Sequence, residues 1–185
     1  MNDNTSAVTY TIDPAHSSAQ FSVRHMMISN VRGEFGKLSG TIVYNPKDPG
    51  GSRIDAVIDV ASINTREPDR DAHLKSPDFF NVAEFPTMTF QSTGIRKTGD
   101  GLEVRGNLTI RGVAREVVLQ VEDLQNETKD PWGNLRIGAS ATTKLSRKDW
   151  GLEWNQVLET GGVMVGNEVK ITLDVQATRA AAVSA

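Results

Sequence analysis

The sequence predicts an all-β protein, an antiparallel β-barrel of about eight strands with one short helix inserted around residues 67–80. Apolar and polar residues alternate with period two along most of the chain after Val8, which is typical of strands with one buried face. Clusters of glycine, proline, asparagine and aspartate separate the alternating runs, as turns separate antiparallel strands. One stretch replaces the alternation with the start and stop signals of a helix.

Composition narrows the possible functions. The chain has 185 residues, which fits one domain spanning residues 1–185, and its net charge of -3 comes from interspersed acidic and basic residues. This balance offers no basic surface for nucleic acid or an anionic membrane. Cysteine is absent, which excludes disulfides, thiolate metal sites and cysteine nucleophiles. No apolar run approaches the ~20 residues that a membrane-spanning helix needs, so we expect no membrane insertion.

The two termini carry little structural signal. The first residues, MNDNTSAVTYTID, lack the basic and apolar regions of a signal peptide. We therefore expect a cytoplasmic protein, unless the chain is a mature or trimmed form. Residues 180–185 are small and featureless, and we predict that they form a disordered tail.

The first half of the chain predicts three long strands. Residues 18–27 alternate between apolar and polar, and a second, glycine-punctuated run covers residues 33–44. The cluster NPKDPGG at residues 45–51 predicts a loop. Residues 53–60 show the clearest alternation in the chain. They place four apolar side chains on one face: Ile54, Ala56, Ile58 and Val60.

The helical insert follows this third strand. Pro68 has the backbone angle of a first helical position, so a helix is predicted from Pro68 to about Lys75. Ser76 and Pro77 repeat the signal and predict a second, single-turn helix over residues 78–80. One side of the insert is polar, and the other offers apolar side chains: Leu74, Phe79, Phe80, Val82 and Phe85. We expect the insert to lie against the barrel as a lid or brace.

The second half of the chain returns to strands. Residues 87–96 alternate, and the turn TGDG at residues 98–101 predicts a tight hairpin with an Asp-Gly step. Strands are then predicted over residues 102–121, with a break at Arg111 and Gly112, over 135–141 and over 169–177. Residues 144–162 show no regular pattern. The total is roughly eight to ten strands joined by short turns.

So many consecutive strands in one domain predict either a sandwich or a closed barrel. A barrel is favoured because closure removes exposed strand edges. Several positions predicted to face inward are small: Ala19, Gly40, Ala56, Gly106, Ala139 and Ala141. About eight strands enclose an interior that is either just filled by side chains or able to hold one small ligand. Periodicity alone leaves both interiors open.

Motifs spread along the chain resemble one protein family. The insert carries Arg70-Asp71, His73-Leu74, Ser76, Asp78-Phe79, Phe85-Pro86, Thr89-Phe90 and Ser92, and other matching segments are HSSAQFSVRH, VRGEFGKLSGTI, GNLTIRGVAREVVL, RKDWG and VGNEVKITLDVQA. Together they resemble the YceI-like family, the lipocalin-like isoprenoid-binding proteins of bacteria, over residues 8–178. Two features depart from the family pattern. Many members carry a secretion signal, and Trp150 stands where phenylalanine is common.

The resemblance implies an extended eight-stranded antiparallel lipocalin-like barrel with a short helix. It also implies that a long isoprenoid or related amphiphilic lipid, such as a fatty-acid-like lipid, binds inside the barrel for storage, transport or sequestration. A homodimer is possible on the same ground. No cofactor is implied beyond the bound lipid itself.

A tunnel for such a lipid needs apolar walls. The expected lining residues are Phe21, Val23, Met27, Ile42, Ile58, Met88, Phe90, Leu108, Ile137 and Ile171. For each of them, ordinary core packing is the alternative role.

A polar head group would need hydrogen-bond donors at the mouth of the tunnel. Guanidinium groups suit a phosphate or a quinone-like ring, and the candidates are Arg24, Arg66, Arg70, Arg147 and, for its position in the RKDWG motif, Trp150. The alternative is a solvated charge or an ion pair with a nearby aspartate. For Arg70 that partner would be Asp69 or Asp71, and for Arg147 it would be Asp149.

The sequence gives little support for catalysis. The three histidines are far apart and form no metal-binding spacing, and no nucleophile elbow or glycine-rich phosphate loop is present. His73 lies four residues after Asp69 and is expected to pair with it on the helix surface. We therefore predict no catalytic residue and no metal site. The alternatives are a small enzyme acting on an isoprenoid or quinone-like lipid in the same cavity, or a stress-related partner protein with a filled core.

Overall fold

The computed structural model describes residues 6–181 and consists mostly of β-strands. The predicted tail therefore lies, from residue 182 onward, outside the described residues. The strands are β1 Val8–Ile12, β2 Ser18–His25, β3 Ser29–Phe35, β4 Leu38–Tyr44, β5 Arg53–Asp59, β6 Ile63–Asn64, β7 Thr87–Thr98, β8 Gly101–Ile110, β9 Val113–Glu122, β10 Thr128–Lys129, β11 Leu135–Ser146 and β12 Val165–Arg179. The helix α1 spans Pro68–Lys75.

These segments build a closed antiparallel barrel of eight strands. β1 and β2 run in the same direction along β12, and β3 and β4 run along β2 and β1 as one bent strand. β5 and β6 form a third bent strand beside them. The sheet continues through β7, β8, β9 and β11, and β11 pairs with β12 to close the barrel. The predicted barrel is confirmed, and the sandwich is excluded.

The barrel has two different ends. The end that carries α1 also holds the segments 65–86 and 147–164, and we call it the cap end. The opposite end holds the turns at residues 45–52 and 99–100 and the loop 123–134, and we call it the hairpin end. The strands therefore connect a structured lid at one end to short turns at the other.

The cap end contains one helix where the sequence predicted two. Glu67 caps α1, since its side chain accepts a hydrogen bond from the Asp69 backbone N–H at 3.4 Å. The predicted second helix is absent from the described chain. The Phe79 and Asn81 backbone N–H groups both bond the Ser76 carbonyl, at 3.0 and 2.9 Å, and Asn81 has a positive φ of 49°. This backbone angle turns the chain away from a helix after one set of turn bonds.

Two predicted turns also differ in register. The strand expected over residues 18–27 ends at His25, because Met26 and Met27 adopt positive φ angles of 50° and 60° in the turn to β3. In the hairpin between β7 and β8, Thr98 pairs with Gly101, so the two turn residues are Gly99 and Asp100. The positive φ of this turn, 53°, is at Gly99. The expected Asp-Gly step placed it two residues later, at Gly101.

Candidate functional site

The barrel encloses a cavity of about 300 Å³. It extends from Tyr44 and Leu124 near the hairpin end to Trp150 and Leu152 at the cap end, and its walls are almost entirely apolar. This volume lies at the lower limit of the range of about 300–1,000 Å³ that is usual for small-molecule sites. The interior is therefore not filled by side chains along its whole length.

The small inward residues explain part of this volume. Ala56 and Ala139 line the cavity, as do Ala19 and Ala141. Two glycines do something different: Gly106 lies under the ring of Phe90, and a side chain at that position would collide with it. Gly33 makes the same room for the ring of Phe21 on β2. These alanines therefore line open volume, whereas Gly33 and Gly106 make room for an aromatic ring.

Four inward aliphatic residues of β12 are only half buried. On β12, Val169, Ile171, Leu173 and Val175 alternate with exposed polar residues, yet each keeps some accessible surface. All four line the cavity. Their accessible surface faces the empty interior, which is the property expected of a binding wall and not of a packed core.

The structure places nine of the ten expected lining residues on the cavity wall. They are Phe21, Val23, Ile42, Ile58, Met88, Phe90, Leu108, Ile137 and Ile171. Met27 is the exception, because it lies in the turn after β2 and is 57% exposed. Contact of the nine with a ligand stays a prediction.

Irregular segments contribute lining residues that alternation could not reveal. Leu124 comes from the loop before β10, and Leu152 follows the 3₁₀ helix Arg147–Trp150. Leu74, Phe79 and Phe80 from the insert close the cap end of the cavity, so the expected apolar side of the insert does face the barrel interior. The sequence signal for these residues was that each is apolar within a polar segment, which favours an inward position.

Three of the candidate head-group arginines do not line the cavity. Arg24 is exposed and donates from Nη2 to the Met27 carbonyl at 3.0 Å. Arg66 is exposed, with a positive φ of 67°. Arg70 donates from Nε to the Thr65 hydroxyl at 2.8 Å and from Nη2 to the Thr65 carbonyl at 2.7 Å. The geometry of Arg70 fits a structural role in joining α1 to β6.

The ion pairs expected around α1 are replaced by other contacts. Asp71 does not pair with Arg70, since its carboxylate accepts from the Thr65 backbone N–H at 2.9 Å and from the Thr65 hydroxyl. His73 lies 2.9 Å from the Asp78 carboxylate, so the expected pair with Asp69 is wrong. The His73 ring also packs edge-on against Trp154, with centroids 4.7 Å apart. The turn at residues 76–81 places Asp78, and not Asp69, beside the His73 ring.

Arg147 differs from the other arginines because it is buried, 5% exposed, and lines the cavity. Its Nε donates to the Gly166 carbonyl at 2.8 Å, and its Nη1 donates to the Leu152 and Trp154 carbonyls at 2.6 and 2.9 Å. Nη2 donates to the Val165 carbonyl at 3.3 Å. Burial lowers the pKa of the guanidinium. The expected ion pair with Asp149 is not formed.

Trp150 lies beside Arg147 at the same end. Its indole Nε1 donates to the Leu108 carbonyl at 3.0 Å, and the residue is 3% exposed. Its ring therefore ties the segment after β11 to β8. Trp150 also lines the cavity, as expected for a residue able to shape the pocket.

The barrel wall is loosely joined next to Trp150. β9 and β11 pair at three positions only, from Ser140 opposite Glu122 to Thr142 opposite Gln120. Towards the cap end the two strands separate around a second cavity of about 240 Å³. Four residues line both cavities: Val117, Thr143, Leu145 and Trp150. Trp150 thus stands between the main cavity and a seam in the wall.

Within residues 6–181, no three histidine, aspartate or glutamate side chains lie close enough together to hold a metal ion. No helix in this part of the chain has the length and apolarity needed to cross a membrane.

Comparison with known proteins gives a consistent result. The YceI-like domain family matches residues 10–177. Protein YceI of Salmonella newport is 37% identical over 148 residues, which cover 79% of this chain and 77% of that protein. The crystal structure of the Campylobacter jejuni YceI protein superposes with a TM-score of 0.70 at 30% identity, covering 85% of this chain and 90% of that one.

A further similarity concerns the fold. A polyisoprenoid-binding domain from Saccharophagus degradans, implicated in plant cell wall breakdown, superposes with a TM-score of 0.67 at 18% identity, covering 94% of this chain and 99% of that domain. At this identity the match shows a shared barrel. Taken with the family match over residues 10–177 and the YceI relatives, these findings show that the chain belongs to the YceI-like family.

Proposed function

We propose that this protein binds a long-chain polyisoprenoid or a related amphiphilic lipid inside the barrel, for storage, transport or sequestration. The observation that carries the proposal is the apolar cavity of about 300 Å³, whose wall includes half-buried aliphatic residues of β12 such as Ile171 and Leu173. Membership of the YceI-like family supports it, as does the similar barrel of a domain described as polyisoprenoid-binding.

Apolar walls are sufficient for such a ligand. Burying one methylene group contributes ~0.8 kcal/mol, so a few isoprene units supply about 10 kcal/mol before the cost of ordering the lipid and the protein. The lining residues of β2, β5 and β12, such as Phe21, Ile58 and Ile171, offer this contact without requiring any chemistry.

The rival function is a small enzyme that acts on a lipid in the same cavity. It would require a nucleophile and a base that converge on the apolar interior. The polar side chains on the wall include Tyr44, Thr143 and Arg147, and burial raises the pKa of Tyr44, which disfavours its ionisation. We therefore favour a binding protein. The cytoplasmic location and the homodimer stay predictions.

A bulky substitution inside the cavity tests the proposal. Ala139→Trp places an indole in the cavity, and Thr142→Trp places the same group three residues along β11 on the exposed outer face. Titration with a fluorescent polyprenyl lipid should show loss of binding for Ala139→Trp and unchanged binding for Thr142→Trp. Ala56→Trp, on β5, provides a second blocking variant.

The proposal fails if both Ala139→Trp and Ala56→Trp bind the lipid as the unmodified protein does. Circular dichroism and thermal melts on the three variants separate a blocked cavity from a misfolded barrel. A folded protein with no lipid affinity in any form would likewise contradict the proposal.

A further inference from the structure

The cap end carries most of the exposed apolar side chains of the described chain. Seven large apolar side chains are exposed among the described residues, and five of them lie in two neighbouring loops. Met26, Met27 and Ile28 form the turn from β2 to β3, and Val157 and Val163 belong to the loop before β12. We call these five residues the apolar tip. A cluster of exposed apolar side chains marks a contact site, whereas single exposed apolar residues are ordinary.

Specific contacts hold the two loops together. The Met26 backbone N–H donates to the Met164 carbonyl at 2.7 Å. Gly162, with a positive φ of 90°, lies against the Met27 sulfur, where an added side chain would collide with it. The two valines of the apolar tip pair with each other in an isolated antiparallel bridge. The apolar tip is therefore one surface built from both loops.

The two loops of the apolar tip are almost free of charge. No aspartate, glutamate, lysine or arginine lies between His25 and Arg32, and Glu159 is the one such residue between Trp154 and Glu168. Removing a charged group from water costs far more than removing an apolar one. The apolar tip can therefore enter an apolar environment at low cost, and it offers little to a charged partner.

The size and shape of the apolar tip favour a lipid surface over another protein. A stable protein interface involves about 20–30 residues on each partner, whereas the apolar tip offers five. Ile28 is 75% exposed and Val157 is 77% exposed, so these side chains project into solvent and line no groove for a partner. A fluid bilayer accepts projecting apolar side chains between its head groups without a complementary shape.

The apolar tip is also continuous with the cavity wall. Val23 lines the cavity three residues before Met26, and Val165 lines it directly after Met164. Val165 pairs with His25 at the point where both loops leave the barrel. A protein that stores or carries a membrane lipid must exchange it with a bilayer, and this surface lies beside the cap end of the cavity.

We propose that the apolar tip docks the protein on the surface of a lipid bilayer, with the cap end towards the membrane and the five side chains inserted among the lipid head groups. The contact is apolar and therefore requires no anionic lipid. The inference rests on the proposed function, because the bilayer is the source or the destination of the cavity ligand. It adds a membrane-facing surface that lipid binding inside the barrel does not specify.

Sedimentation with phosphatidylcholine vesicles tests the contact. The unmodified protein should bind the vesicles, and Ile28→Asp should lower the vesicle partition coefficient about tenfold or more, because a charge replaces an inserted apolar side chain. Trp132→Asp is the matched control, since it makes the same kind of change at a residue 82% exposed at the hairpin end, and its binding should be unchanged. Added salt or phosphatidylglycerol should have little effect on binding, because the contact is not electrostatic.

The orientation can be measured with all five residues of the apolar tip intact. Because the chain has no cysteine, Ser29→Cys beside the apolar tip and Trp132→Cys at the hairpin end each provide a single labelling site. An environment-sensitive fluorophore at residue 29 should shift its emission to shorter wavelength on vesicle binding, and the same label at residue 132 should not. A shift at residue 132 with none at residue 29 would overturn the proposed orientation.

Absence of vesicle binding by the unmodified protein would overturn the proposal, as would equal losses in Ile28→Asp and Trp132→Asp. Ile28→Asp should bind a fluorescent polyprenyl lipid in solution as the unmodified protein does, because residue 28 does not line the cavity. Lipid binding in solution without vesicle binding would contradict the docking surface alone, whereas no lipid binding in solution would contradict the proposed function and the inference with it. A dimer that Ile28→Asp dissociates, in a protein that ignores vesicles, would assign the apolar tip to a second copy of the chain and overturn the proposal.

Discussion

The two ends of this barrel are stabilised by different kinds of contact. At the cap end, Trp150 packs over β8, and Arg147 joins the segments around it through bonds to carbonyl groups. At the hairpin end, Arg136 bridges Asp13 at 2.6 Å and Asp130 at 2.7 Å, which ties the loop 123–134 to the start of the chain. The contacts of Arg147 and Trp150 therefore depend on apolar packing and neutral acceptors, whereas those of Arg136 depend on ionised carboxylates.

Because of this difference, the two sets of contacts should respond differently to acid. Arg136 holds the pKa of Asp130 and of Asp13 at about 2, below the ordinary value of 3.8. Protonating these carboxylates breaks the contacts at the hairpin end. No equivalent carboxylate holds Arg147 among the described residues. Acid should therefore loosen the loop 123–134 at the hairpin end while the contacts of Arg147 and Trp150 at the cap end persist.

The largest effect is expected from removing Trp150 at the cap end. Trp150→Ala should lower the free energy of unfolding by about 3–5 kcal/mol, because it deletes a fully buried ring. Trp150→Phe keeps most of the packing and loses the bond to Leu108, so about 1 kcal/mol is expected. Urea titration of both variants measures the difference. A cost below about 1 kcal/mol for Trp150→Ala would contradict a packed cap.

A matched pair of isoleucines compares the cap with the cavity wall. Ile63 is 4% exposed beside the cap, whereas Ile171 is half buried and faces the cavity. Ile63→Ala should cost about 2–5 kcal/mol, and Ile171→Ala should cost clearly less, because it enlarges space that is already open. Chemical denaturation of the lipid-free protein gives both values. Equal costs would show that the interior around Ile171 is packed.

Arg70 should affect the cap without affecting the cavity. Arg70→Ala removes two hydrogen bonds to Thr65, so the free energy of unfolding should fall by about 1–3 kcal/mol. Lipid affinity of the folded variant should be unchanged, because Arg70 does not line the cavity. Loss of affinity at unaltered thermal stability would reverse this assignment.

The contacts of Asp13 and Asp130 at the hairpin end should give the smallest change in stability at neutral pH. The change should grow as the pH falls. The folded-state pKa values of Asp13 and Asp130 lie below their unfolded value, so their contribution to stability is complete above about pH 4. It should be lost progressively as the pH falls towards 2. Amide hydrogen exchange should show residues 123–134 opening in this range before the segment 147–164. Simultaneous opening of both segments would contradict the claim that different contacts stabilise the two ends.

Much of the barrel could be predicted because alternation records which face of a strand is buried. This held for residues 53–60, where each apolar residue on the predicted face is inward or buried. It failed at Met27, since a positive φ ends the strand two residues earlier, and nothing in a hydrophobic pattern encodes that angle. The spare volume was equally hidden, because Gly106 and Ala56 look alike as small residues although one is covered by a ring.

The apolar walls of the candidate site could be predicted from the sequence, whereas the burial of Arg147 could not. Four arginines were equivalent in the sequence, and burial alone distinguishes Arg147 from Arg24, Arg66 and Arg70. Two of its acceptors, the Leu152 and Trp154 carbonyls, lie in an irregular segment, and the other two, Val165 and Gly166, lie at the first positions of β12, where the predicted strand had not yet begun. Contacts that depend on the path of a loop cannot be read from residue types.

The central claim is that the cavity holds a single-chain lipid. Native mass spectrometry of protein purified without detergent, followed by organic extraction, tests it most directly. We expect a co-purifying long-chain lipid in the unmodified protein and in Thr142→Trp, and none in Ala139→Trp. A protein that carries no lipid and also refuses added polyprenyl lipids would contradict the claim.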